Sequence, residues 1–119
     1  MAYEVRRSVA CRQDLEIIFD FLIDAHRSLG ESLGESVGGA VERAARRITA
    51  IDDAMDALGA APHQGTLRPD IMDGLRWVSR DRGVFYFVVD DAACRIDVLA
   101  VFFGGEDHKQ RILERILSG

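Results

Sequence analysis

The spacing of apolar residues changes once along this chain, at Pro62, and that change limits the folds open to it. Before Pro62, apolar side chains recur at helical spacing. Cys11, Leu15, Ile18, Phe19 and Leu22 share a face, with Asp14, Glu16, Asp20 and Asp24 interleaved. That pattern predicts an amphipathic helix over Arg12–Gly30. Val41, Ala44, Ala45, Ile48, Ile51, Met55 and Leu58 repeat the spacing and predict a second helix over Val41–Leu58, with Glu42, Arg43, Arg46, Arg47, Asp52 and Asp56 opposite. The glycine-punctuated "GESLGESVGGA" between them reads as a bend. Two helices joined by a short bend are expected to pack as an antiparallel hairpin.

After Pro62 the period shortens. "HQGTLRPDIMDG" holds two glycines, one of the chain's two prolines and no period, so it reads as an ordered loop. "LRWVSR" at Leu75 to Arg80 and "GVFYFVVDD" at Gly83 to Asp91 are aromatic and β-branched around Asp81-Arg82-Gly83, a hairpin signal. "CRIDVLAVFF" follows as a third strand. Upstream, Tyr3 to Arg7 alternates as a short first strand, and Ser8 offers an N-cap to the helix after it. At the other end Ile112, Leu113, Ile116 and Leu117 fall on one face of a closing helix. The order is β-α-α-β-β-β-α, which predicts a single α+β domain over residues 1–119. It comprises a short N-terminal strand, an antiparallel helical hairpin packed on a three-stranded antiparallel meander, and a short C-terminal helix. The helices are expected on one sheet face, leaving the other solvated or covered by a partner.

Charge narrows the function. The formal net charge is −5, and Lys109 is the single lysine among fifteen cations. Arginine favours planar, bidentate contacts over a diffuse positive cloud. An acidic chain has no general attraction to nucleic acid, so contact with RNA or DNA would need a local patch. No window approaches the ~20 apolar residues of a membrane span, and the N-terminus has no signal-like apolar core, so a cytoplasmic protein is expected. Cys11 and Cys94 lack metal or disulfide spacing and read as two half-buried thiols.

"VLAVFFGGEDHK", Val98 to Lys109, could be the lip of an active site or a strand turning into a helix. The second reading prevails. Gly104 and Gly105 permit a sharp turn, while Glu106 and Asp107 suit a helix start. His108 and Lys109 then fall in the first turn and are expected to face solvent. Trp77 and Tyr86 read as sheet-packing aromatics, Arg76 as a structural arginine, and His63 as a loop residue.

Taken together, the motifs resemble the RelE/ParE superfamily of toxins from type II toxin–antitoxin modules, often called plasmid stabilisation proteins. The resemblance is carried by Ser8 with "DLEIIFDFL", by Pro62 and Gly65, by "GLR" at Gly74 to Arg76, by Tyr86-Phe87 with Asp90, and by "IDVLAVFFGGED" ending at Asp107. It covers nearly the whole chain. It implies a toxin held inactive by an antitoxin and needing no cofactor. RelE-like members are ribosome-dependent mRNA endoribonucleases; ParE-like members are non-enzymatic poisons of DNA gyrase. Where related nucleases often carry a histidine and an arginine in the last strand, this chain has Phe103 and Ala100. Its tail, "RILERILSG", has no terminal tyrosine, histidine or lysine to move a proton. The resemblance is therefore closer to ParE, implying gyrase as target and a ParD-like, ribbon-helix-helix antitoxin in a hetero-oligomer, away from membranes. A nuclease would have to use Arg76, Arg82 and Tyr86. Ile17, Phe21, Ile112 and Ile116, apolar beyond the needs of one small core, are expected to bind antitoxin. Arg80, Arg82, Asp107, His108 and Lys109 are the expected target-recognition surface.

Overall fold

In a computed structural model, residues 2–33, 37–104 and 107–118 are described. β1 (Glu4–Arg7) leads into α1 (Val9–Leu33) and α2 (Val37–Asp56), followed by a 3-10 turn at Ala57–Ala60. Then come β2 (Thr66–Leu67), β3 (Arg76–Arg80), β4 (Gly83–Asp90), β5 (Arg95–Phe103) and α3 (His108–Ser118). The expected α+β architecture is present. Helix α1 continues through Gly30 to Leu33, and the centre of the expected bend lies outside the described residues. So does the expected capping role of Glu106.

Ser8 starts α1 as its composition requires: its hydroxyl accepts the Cys11 N–H at 3.0 Å. Asp107 does the same for α3, accepting the Gln110 N–H at 3.3 Å. Ile18 and Leu22 of α1 meet Ala44, Ile51 and Met55 of α2 over the sheet residues Val78, Phe85, Phe87, Ile96, Val98 and Val101. This core lies between the hairpin and one sheet face. Cys11 is inside it, its thiol pushed up to about 12 chiefly by burial. Cys94 is exposed, so neither cysteine is half-buried.

The sheet has five strands in the order β1-β5-β4-β3-β2. The meander is extended on one side by β1, parallel to β5, and on the other by the two-residue β2. The Asp81-Arg82 hairpin turn carries positive φ at both residues, the geometry that follows strand twist. Gly65 also needs its positive φ, and a Cβ there would run into the Trp77 carbonyl.

The sheet departs from the expectation of one bare face. A second core of Leu75, Val84, Tyr86, Ala100, Phe102 and Ile112 fills the face away from the hairpin, and α3 covers it. A β-bulge makes this possible. Tyr86 pairs with Ala100 and Phe87 with Val98, so Leu99 is an extra residue in β5. It shifts the alternation: Ile96, Val98 and Val101 face the hairpin, while Leu99, Ala100 and Phe102 face α3.

Candidate functional site

Under α3 three aromatic rings converge. Trp77 of β3 stacks on Tyr86 of β4, with ring centroids 6.4 Å apart, and His108 lies 5.1 Å from Trp77. Register explains the meeting, because Trp77 and Tyr86 are direct cross-strand partners. The Tyr86 hydroxyl and His108 Nδ1 share a 2.8 Å hydrogen bond. His108 is thus half-buried and not the solvent-facing residue expected. Burial pushes its pKa below the usual imidazole value, and Lys109 pushes the same way. Burial raises the Tyr86 hydroxyl above its ordinary range. Both groups are therefore neutral near pH 7. Tyr86 has no exposed surface, so it touches no ligand while α3 is in place.

The other candidate residues are scattered around this point. Arg76 sits on the opposite sheet face, alternating with Leu75 and Trp77, and donates to the His63 carbonyl at 2.8 Å. Arg80 shares that face and binds the Ser79 carbonyl and Gln64 Oε1. Arg82 is exposed in the β3–β4 turn. The expected nuclease set of Arg76, Arg82 and Tyr86 is therefore not one site. Asp107, His108 and Lys109 do lie together at the start of α3, apart from Arg80 on the hairpin face. Among the described residues no three His, Cys, Asp or Glu side chains come together to hold a metal ion. No helix there is long and apolar enough to cross a membrane.

The expected docking residues also divide. Ile17 and Phe21 are 60% and 58% exposed on the outer flank of α1. Ile112 is fully buried beneath α3, and Ile116 packs beside it against the second core. Ile112 is therefore structural; α3 needs it to hold the sheet.

Two clusters escaped the sequence reading. Asp14, 4% exposed, accepts the Val101 N–H at 3.0 Å and binds both Arg115 terminal nitrogens at 2.5 and 2.7 Å. Arg115 and Ser8 also donate to the carbonyl of the bulged Leu99. The bridge joins α1 to α3 around the end of the sheet. Its signal was present, since Asp14 falls three residues after Cys11 and four before Ile18, within the apolar stripe. The second cluster ties Asp91 to the Tyr3 hydroxyl at 2.8 Å and to His63 at 2.7 Å. Tyr3 first, then His63, hold the Asp91 carboxyl below the usual range. It is exposed and clamps the N-terminal strand.

The lowered pKa of His108 makes a pH prediction. Between that pKa and about 6.5, the unfolded chain binds a proton that the folded chain refuses. The contribution is complete above about pH 6.5 and is lost as pH falls toward the folded value. Urea midpoints at pH 7.5 and 5 should separate more for the natural chain than for His108→Asn. Equal separation would contradict the burial of this imidazole.

No protein-family model matches the sequence, and no curated protein matches it. Solved structures do. A chain of the chromosomal ParDE toxin–antitoxin system from P. aeruginosa superposes with a TM-score of 0.64 at 17% identity, over 87% of this chain and 97% of that one. A chain of the RelBE2 toxin–antitoxin complex from Mycobacterium tuberculosis gives 0.58 at 17% identity, over 89% and 95%. At this identity the likeness establishes a shared fold.

Proposed function

We propose that this chain is the toxin of a type II toxin–antitoxin module. On this reading it acts in the cytoplasm by binding its target without cutting RNA, as a ParE-like inhibitor of DNA gyrase. A ParD-like antitoxin neutralises it in a hetero-oligomer. The fold supports the toxin reading, but it is shared with both a ParDE and a RelBE2 assembly. The choice between mechanisms rests on this chain's own residues. The observation that carries it is the dispersal of the chemistry. RNA cleavage needs a base, an acid and cations converging on one phosphate. Here Arg76 faces the hairpin, Arg82 is in a turn, and Tyr86 is sealed under α3. The unused apolar flank at Ile17 and Phe21 supports a binding role.

A second reading, a RelE-like ribosome-dependent endoribonuclease, is favoured by one observation. Tyr86 and His108 are two proton-carrying groups in contact beside Trp77. Induction in a bacterial host separates the readings. DNA-damage response is the expected outcome for a gyrase poison, and translation arrest without it favours the nuclease.

A further inference from the structure

Arginines across this chain hold carboxylates: Arg7 pairs with Asp52 and Asp56, Arg68 with Asp70, and Arg115 with Asp14. Arg47 of α2 departs from that pattern. It is half-buried, yet among the described residues it makes no hydrogen bond or ion pair. Its side chain lines an open cleft of about 370 Å³ together with Arg43, Arg46 and Ala50 of α2 and His26 of α1.

Helical spacing builds this cleft. Arg43, Arg46 and Arg47 are three and four residues apart and share one flank of α2. Ala50 follows on the same flank, and its single methyl leaves the space between the guanidinium groups open. His26 lines the space from α1, half-buried and without a hydrogen bond among the described residues. Arg43 already has an interaction within the chain. Glu42 holds one terminal nitrogen of Arg46 at 3.2 Å. A guanidinium carries five N–H donors, so both keep donors and charge to spare. Arg47 brings its whole fork.

The basic surface is short. Arg46 and Ala50 also line the adjoining stretch of α2, and there they stand with Glu42 and Asp53. A phosphate polymer laid along the helix would run from the arginines onto those carboxylates. A compact anion would stay clear of them. Planar guanidinium forks match phosphoryl oxygens in pairs, and two adjacent phosphoryl groups supply oxygens for Arg47 and for His26 together.

We propose that the cleft between α1 and α2 binds a compact diphosphate group. Arg47 is its principal fork, Arg43 and Arg46 flank it as cations, and His26 donates to it from α1. Inorganic pyrophosphate and a nucleoside diphosphate share this chemistry. The site goes beyond the proposed function and uses none of the residues on which that reading rests.

The test titrates the full ¹⁵N-labelled chain with inorganic pyrophosphate at fixed ionic strength. Saturable shifts are expected at the Arg47 Nε–H and the His26 ring, with sulfate binding about tenfold weaker. Arg47→Gln should weaken pyrophosphate about tenfold, and Arg47→Lys, which keeps the charge without the fork, should fall between. Arg12→Gln, at an exposed position of α1 outside the cleft, should bind as the natural chain does. Pyrophosphate should also raise the unfolding temperature of the natural chain more than that of Arg47→Gln, which reads binding on a folded variant. ADP in place of pyrophosphate separates the two sources, and saturable binding of either supports the site. Equal binding of sulfate and pyrophosphate, or an Arg47→Gln chain that binds as tightly as the natural one, overturns the proposal. So does a single-stranded oligonucleotide that shifts Arg47 at lower concentration than pyrophosphate, which would assign the patch to nucleic acid. The toxin reading fails by a different sign, the absence of growth arrest on induction.

Discussion

Replacing Asp14 with alanine should lower the free energy of unfolding by about 3 kcal/mol, the low end for breaking a buried ion pair. The carboxylate is 4% exposed and satisfies three donors, the Val101 N–H and two Arg115 nitrogens. Its removal strands a guanidinium and a backbone N–H together. The Arg115 side chain is 27% exposed and can turn partly to water, which keeps the cost from the upper end. Asp14→Asn retains an acceptor for Val101 but loses the charge, so it should fall between. Urea unfolding of the three proteins measures this. Hydrogen exchange should show α3 opening first in Asp14→Ala, because the bridge links that helix to α1. A cost below about 1 kcal/mol would mean the bridge contributes no more than a surface pair.

Phe85→Ala should cost about 3–5 kcal/mol, whereas Phe21→Ala should stay within about 0.5 kcal/mol. Phe85 has no exposed surface and sits where sheet and hairpin meet. Deleting its ring leaves a cavity that the strand backbone cannot close. Phe21 is 58% exposed, so most of its ring is already in water and its removal leaves no cavity. Paired denaturation curves decide the point. If Phe21→Ala were as damaging as Phe85→Ala, that flank of α1 would belong to the core and could not be a docking surface.

The change of period at Pro62 made the helical hairpin and the meander legible, because helix and strand periods differ whatever lies around them. The side of the sheet that α3 would cover was not legible. Ile112, Leu113, Ile116 and Leu117 define an apolar stripe, and a stripe does not say which layer it meets. The unbroken run "VLAVFF" concealed the reason. With every residue apolar, the extra Leu99 leaves no mark in the pattern, yet it sends Ala100 and Phe102 to the face that α3 covers. The same gap misplaced His108. A first-turn helix residue is solvent-facing only if nothing lies beneath it, and Trp77 and Tyr86 lie beneath it. Ile17 and Phe21 were recognisable because the apolar surface of α1 is wider than one stripe. Ile112 was not separable from them by composition.

On the proposed function this chain acts by binding and does not cleave RNA. The direct measurement pairs a gyrase supercoiling assay on the purified chain with mapping of mRNA ends in ribosome-bound transcripts after induction. Lost supercoiling and no new codon-positioned ends are expected. The same is expected for His108→Gln, because on this reading the Tyr86–His108 contact only packs α3 against the sheet. Codon-positioned cuts that vanish in His108→Gln, with supercoiling untouched, would contradict it and make Tyr86 and His108 the centre of a ribonuclease.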